Sequence, residues 1–310
     1  MAGWSPPWTD CASSSPFAHW DAGPNPRYFG HRRGVTWLNA INDQVAGIGA
    51  TVVTGTMRDS LHVLDVILNR DGGPQPEMVV TDTASYSDIV FGLFRLLGYQ
   101  FSPRLADLPD QRLWRFAGAG RLNASGSLKV HELTPKRIVG HWEDMLRVAA
   151  SLHLGTVRSH DLIRMLARDG SPTPLGAAIA DYGRLAKTLH ILAMTDVDDT
   201  RRRVVSQQLS LQEGRHRLGR KVFYGRRGQL RQAYRIGQQD QLGALGLVLN
   251  MIVLWNTVYI DAALNELRRQ GVPIDVTDVA RLSPLGDQHV NMHGRYTFTA
   301  APSTELTTAT

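Results

Sequence analysis

The chain has 310 residues, of which 43% are apolar, enough to build a core and too many for a disordered segment. Its single cysteine, Cys11, excludes an internal disulfide framework and a cysteine-rich zinc site. The formal net charge of +6 is unevenly spread. Residues 1 to 110 hold 7 basic and 11 acidic side chains, whereas residues 201 to 235 hold eleven Arg or Lys and one acid, Glu213. The partner of that second region is expected to be a polyanion such as nucleic acid.

The first thirty residues contain Asp10, Asp21 and several prolines but no apolar run, so a secretory signal or transit peptide is not expected and a cytoplasmic location is. Residues 35 to 105 then alternate strand-like and helix-like segments, the pattern of a mixed α/β sheet. Val35 to Ile41 and the β-branched stretch Ala50 to Gly55 are predicted strands. Ser60 to Asn69 is a predicted helix, stopped by Arg70-Asp71-Gly72-Gly73-Pro74. Glu77 to Thr81 is a short buried strand ending at Asp82, Ser85 or Ser87 can cap a helix from Asp88 to Leu97, and Tyr99 to Leu105 returns as a strand. That order predicts a ribonuclease-H-like sheet.

From Leu113 to about Arg203 the pattern is helical, with amphipathic helices at Trp142 to Leu152, His160 to Arg168 and Leu175 to Thr195. A basic helix follows from Leu209 to Tyr224, then a Gly225-Arg226-Arg227-Gly228 turn. Leu242 to Ile260 is nineteen residues without a charge, close to bilayer length. Its Asn250 and Asn256 favour a buried core helix over a membrane span.

Asp82 occupies the carboxyl edge of a strand, where open α/β sheets place ligands, although turns there also favour Asp. Glu213 is the lone acid of a basic helix and has two readings, an internal ion pair with Arg217 or Lys221 and a functional carboxylate. Two carboxylates ringed by arginine are what a Mg²⁺ site acting on a phosphodiester requires. His289 and His293 have the spacing of some metal ligands but lack a third ligand nearby, so no zinc site is expected.

Val80-Thr81-Asp82-Thr83, Tyr86 to Phe91, Leu96-Leu97-Gly98-Tyr99 and Phe101 to Leu108 resemble the second-aspartate region of the Tn-three family of replicative, cointegrate-forming transposases. Arg147 to Ser151, Gly155-Thr156-Val157, Lys187-Thr188-Leu189, Leu211 to Val222, Val253 to Tyr259 and Leu282 to Gly286 are similar to later blocks of that family. The resemblance runs from about Pro24 to Phe298. It implies an Asp-Asp-Glu active site on an α/β ribonuclease-H-like sheet with a large all-α insertion before the final catalytic helix. Asp82 matches the second acid and Glu213 the third, as catalytic residues and as ligands of two Mg²⁺ ions. The implied activity is DNA transposition by strand cleavage and strand transfer, with transposon ends and target DNA as partners, a homodimer as a possible assembly and no membrane. Arg215, Arg220, Lys221, Arg226 and Arg227 are then expected to track DNA phosphates. The Glu segment lacks the basic residue often found just before the Glu, and Asp287-Gln288 stands where a Trp-Glu pair is common.

The family's first catalytic Asp precedes the Pro-Asn-Pro-Arg-Tyr block seen here at Pro24 to Tyr28, and Trp8 to Trp20 offers no such strand. Joining the last base of the Trp8 codon to the first two of Thr9 forces an Asp codon. Reading on in that frame permits Asp-Gly-Leu-Arg-Phe-Val-Val-Pro-Val-Arg, which resembles the family's first-aspartate strand. Residues 1 to 23 are therefore expected to be an out-of-frame segment, leaving a sheet without a normal first strand and a chain without the family's long amino-terminal region. The remaining divisions are a sheet part at 24 to 110, the helical insertion at 111 to 205, catalytic and C-terminal helices at 206 to 298, and a loose tail at 299 to 310. A catalytically inactive remnant that binds DNA or intact transposase is the alternative function.

Overall fold

The computed structural model describes residues 2–4, 13–14, 23–24, 31, 33–54, 61–70, 75–82, 86–105, 110–118, 129–168, 171–196, 201–222, 238–291 and 294. Its central sheet contains β1 (Ala2–Trp4), β2 (Ser13–Ser14), β3 (Gly23–Pro24), β4 (Arg33–Asn42), β5 (Gly47–Thr54), β6 (Met78–Val80) and β7 (Gln100–Phe101). Across the sheet the order is β5, β4, β1, β6, β7, with β2 and β3 also pairing the amino-terminal half of β4. β1 is antiparallel to β4 and parallel to β6, and β7 is parallel to β6. This arrangement fits the ribonuclease-H-like sheet that the sequence predicts.

One expectation is corrected. The sequence predicts a sheet without a normal first strand and no strand in Trp8 to Trp20, yet Ala2–Trp4 fills the central slot and Ser13–Ser14 pairs with Val35 and Gly34. The physical reason lies in the neighbours: the central edges of β4 and β6 carry main-chain donors and acceptors that need partners. Three residues without proline supply them.

Alternation divides the sheet into two faces. Leu38, Ala40 and Val79 join the larger core with α1 (Val63–Leu68) and α2 (Asp88–Leu96). Within it Phe94 stacks on Phe101, ring centroids 4.4 Å apart, and Phe91 meets Phe101 edge-on at 4.9 Å. Ser87 caps α2 by accepting from the Val90 N–H, and Gly98 at φ +83° ends the segment, both as the sequence predicts.

The segment expected to be all-α is mostly so, in α3 (Lys136–Gly140), α4 (Trp142–His153), α5 (Ser159–Leu166) and α6 (Pro174–Thr195). It also holds a parallel pair, β8 (Leu113–Phe116) with β9 (Val130–Leu133), and the short β10 (Ala167–Arg168) with β11 (Ser171–Pro172). Leu113 and Leu133 are buried while Phe116 and Val130 are exposed, and strands of four residues are too short to carry a period that a sequence reading can use. Ile138, Met145, Leu152, Ile163, Leu166 and Ile179 enter the same core as the sheet, so the insertion is packed onto the sheet rather than hung from it.

The opposite face is covered by α7 (Arg201–Val222) and α8 (Gln238–Arg269), with α9 (Val276–Val279) beyond them. The helix expected from Leu209 begins eight residues earlier, at Arg201, because Val205 packs on Met78 and Val80. α8 is not the buried core helix expected. Leu242, Leu245, Leu249 and Val253 pack on the sheet and α7, while Leu247, Leu254, Trp255, Val258 and Tyr259 stay exposed. By length and composition it is the one described helix that could cross a membrane. The Gly225 to Gly228 turn and the 299 to 310 tail lie outside the described residues.

Candidate active site

Met78 and Val80 face α7, and Val79 faces the other core, so the alternation carries Asp82 to the α7 side of the sheet. Asp82 follows directly on β6 and is half-buried. On α7, Leu209 packs with Met78 and Val80, and Glu213 stands one turn further along the same flank. From the shared Leu209–Val80 contact, two strand residues advance about 6.6 Å and four helix residues about 6 Å. Both advance toward the level of Trp37 and Val35, where Leu218 packs. Asp82 thus follows the strand on which α7 packs one turn before Glu213.

Glu213 is exposed and makes no ion pair with Arg217 or Lys221 among the described residues. Lys221 turns instead to Asp287, donating to its carbonyl at 2.6 Å and pairing with its carboxylate at 3.5 Å. The internal ion pair, one of the two readings of Glu213, is therefore not formed.

Between β4 and β6 runs β1. Gly3 pairs with Ile41 on one side and Val80 on the other, both of which face α7 or α8. This position shares their face. The strand Ala2-Gly3-Trp4 contains no acid, and Asp10 and Asp21 lie outside the described residues. No cluster of three or more His, Cys, Asp or Glu forms among the described residues. Under α7, Gln208 and Gln212 are buried, and the Gln208 Oε1 and both amide atoms of Gln212 have no hydrogen bond. Carboxylate and amide oxygens are hard donors, so the set fits Mg²⁺ in kind and supplies two acids toward it.

The arginines divide. Arg215, expected on the DNA-facing surface, is 1% exposed. Its Nη1 donates to the Val45 carbonyl at 2.9 Å and its Nη2 to Asn250 Oδ1 at 2.7 Å, so it cannot contact a phosphate. Burial lowers its pKa to about 10, which leaves it charged at neutral pH. The reason is its helical position: Val205, Gln208, Gln212, Arg215 and Gly219 form the stripe that faces the sheet. Arg220 lies on the exposed side, and Arg226 and Arg227 lie outside the described residues. His293 does too, while the His289 ring stacks on Trp255 at 4.9 Å.

Sequence reasoning missed a second buried polar system on the far side of the sheet. Asp181, 3% exposed, accepts from Arg137 at 2.7 Å and Arg184 at 2.5 Å, and Arg184 also reaches Asp88 at 3.1 Å. Asp181 and Arg184 sit at helical spacing on α6, the only signal that could have paired them.

The family profile described as Tn3 transposase DDE domain matches residues 14–296. The transposase of transposon Tn4556 from Streptomyces fradiae is 58% identical over 277 residues, which cover 89% of this chain and 31% of the relative. The transposase of transposon gamma-delta from Escherichia coli (strain K12) is 47% identical over 279 residues, covering 90% and 28%. That of transposon Tn1546 from Enterococcus faecium is 32% identical over 280 residues, covering 90% and 28%. The chain thus spans less than a third of the length of these curated relatives. No solved structure matches it.

Proposed function

Since this chain belongs to the Tn3 transposase DDE domain family, we propose that it is the catalytic part of a replicative transposase, which cleaves DNA at transposon ends and joins them to target DNA. The single observation that carries this reading is that Asp82 follows directly on β6 and that Leu209, one turn before Glu213 on α7, packs on that same strand. They are the second and third acids of the site. Mg²⁺, when bound there, supplies Lewis-acid activation of a water or 3′-hydroxyl nucleophile and stabilisation of the leaving oxygen.

The chain's own residues do the rest. Asp82 is held at the end of a buried strand, and Glu213 projects from a helix whose opposite side is packed on the sheet, so the backbone at both positions is fixed. The exposed Arg202, Arg203, Arg217 and Arg220 put a positive flank beside them, suited to DNA phosphates and blind to sequence. DNA as substrate places the action in the cytoplasm of a bacterium, and the α-helical insertion and a homodimer complete the proposal.

A second reading has its own observation: β1 carries no acid beside Val80. On that reading the chain binds DNA or an intact transposase and does not cut. Both are tested by incubating the full chain with transposon-end DNA and Mg²⁺ or Mn²⁺. The first predicts nicking or joining that Asp82→Asn and Glu213→Gln reduce by a factor of about a thousand or more. Binding that weakens steeply with salt while no strand is cut under either metal would overturn the first and support the second.

A further inference from the structure

We infer that Arg215 is a positioning residue for Glu213, an inference that rests on the metal-site reading of Asp82 and Glu213. The buried α7 positions between Val205 and Leu218 are Gln208, Gln212, Gly214 and Arg215. The stretch of helix that bears Glu213 therefore lacks a fully buried apolar anchor. Neither amide atom of Gln212 has a hydrogen bond, so this side chain does not fix the helix either.

Arg215 does. Its fork spans two elements, with Nη1 on Val45 at the β4–β5 turn and Nη2 on Asn250 of α8. Each acceptor is itself fixed. Asn250 accepts from the Gly47 N–H at 2.8 Å and donates to the Gly47 carbonyl at 3.1 Å, locking its amide to β5. Val45 sits at φ +66°, a left-handed conformation that is strained for a β-branched residue. That turn is braced by Asn42 Oδ1, which accepts from the Gln44 and Ala46 N–H groups at 3.1 and 2.8 Å. A Cβ on Gly47 would stand 2.7 Å from Arg215 Nη2, so a side chain there would displace the guanidinium from its bonded position. A strained turn, a glycine and a doubly bonded amide converge on one guanidinium two residues from Glu213, about 3 Å along the helix axis. The clamp sets the height and rotation of α7 over the sheet, and with them the aim of the Glu213 carboxylate toward Asp82. A lysine cannot replace it, because one ammonium has no planar fork for two acceptors.

The test uses the full chain and Mn²⁺, whose binding is read by solvent-proton relaxation, with thermal denaturation and DNA binding at fixed salt alongside. Arg215→Lys and Asn250→Ala are expected to weaken Mn²⁺ binding by about tenfold to a hundredfold, as loss of an outer support does at metal sites. DNA binding should be unchanged. Ile163→Ala, in the core on the other face of the sheet, should lower Tm without moving Mn²⁺ affinity. Wild-type Mn²⁺ affinity in Arg215→Lys, or an equal loss in Ile163→Ala, would overturn the positioning role. A wild-type chain that binds no Mn²⁺, or whose binding survives Glu213→Gln, would sink the metal-site reading itself.

Discussion

Glu213 and Arg215 stand two residues apart on α7, one exposed and one buried, and the difference is geometric. Two residues advance a helix by about 200°, so neighbours of opposite charge in a basic run look in nearly opposite directions. The sequence identifies Glu213 through its isolation among cations, but composition alone cannot tell which arginine faces the sheet. The polar stripe of Gln208, Gln212 and Arg215 hides that face, because periodicity arguments follow apolar residues. The histidines tell a similar story. Burial, and to a lesser degree the stacked His160 ring 4.4 Å away, lowers the His62 pKa to about 4. Burial does the same to His190, whose Nε2 donates to the Pro103 carbonyl. Both are neutral in the fold, and both take up protons more readily once unfolded. Stability is therefore intact above about pH 6.5 and falls as the pH drops toward 4, by about 3 kcal/mol for each histidine. Urea denaturation at pH 7.5 and 4.5 should show the loss, and His190→Gln should remove part of it. A flat profile would mean that neither ring is shielded.

At the scale of elements, the sheet and the two helices flanking Asp82 are legible because their signals are local. β-branched runs mark β4 and β5, and Ser87 and Gly98 bracket α2. What the sequence leaves hidden depends on tertiary partners: the early start of α7, the β8–β9 pair, the half-exposed α8 and the first strand. The crossing of α2 and α6 is another case. A Cβ on Gly183 would lie 1.7 Å from the Asp88 carbonyl oxygen, and one on Gly92 would lie 2.3 Å from that of Ile179. These obstacles are backbone atoms that cannot turn aside, so the helices must part. Gly183→Ala is expected to destabilise by about 3 kcal/mol or more. Gly243→Ala, on α8 with nothing near its Cβ position, should stabilise by up to about 1 kcal/mol through helix propensity alone. Urea midpoints of the two variants check both signs, and equal effects would contradict the packing described. Gly183 also bears on the site, because α2 begins just beyond Asp82.

For the whole molecule, charge and fold agree. The acidic amino-terminal part builds the sheet, and the basic part lays α7 across it with Glu213 among arginines. The family was legible in short blocks around Asp82 and Glu213 because those blocks are where strand end, helix cap and charge coincide. The first acid was not, since Ala2-Gly3-Trp4 supplies main-chain pairing without a carboxylate. The central claim is that Asp82 and Glu213 belong to one divalent-metal site. Fe²⁺ with ascorbate and peroxide tests it most directly, because a bound iron cuts the backbone nearest to it. The account predicts cuts at two places in the same chain, around residues 80–84 and 211–215, both suppressed by excess Mg²⁺ and both lost in Glu213→Gln. Cuts confined to one segment, or a pattern that Glu213→Gln leaves unchanged, would contradict it.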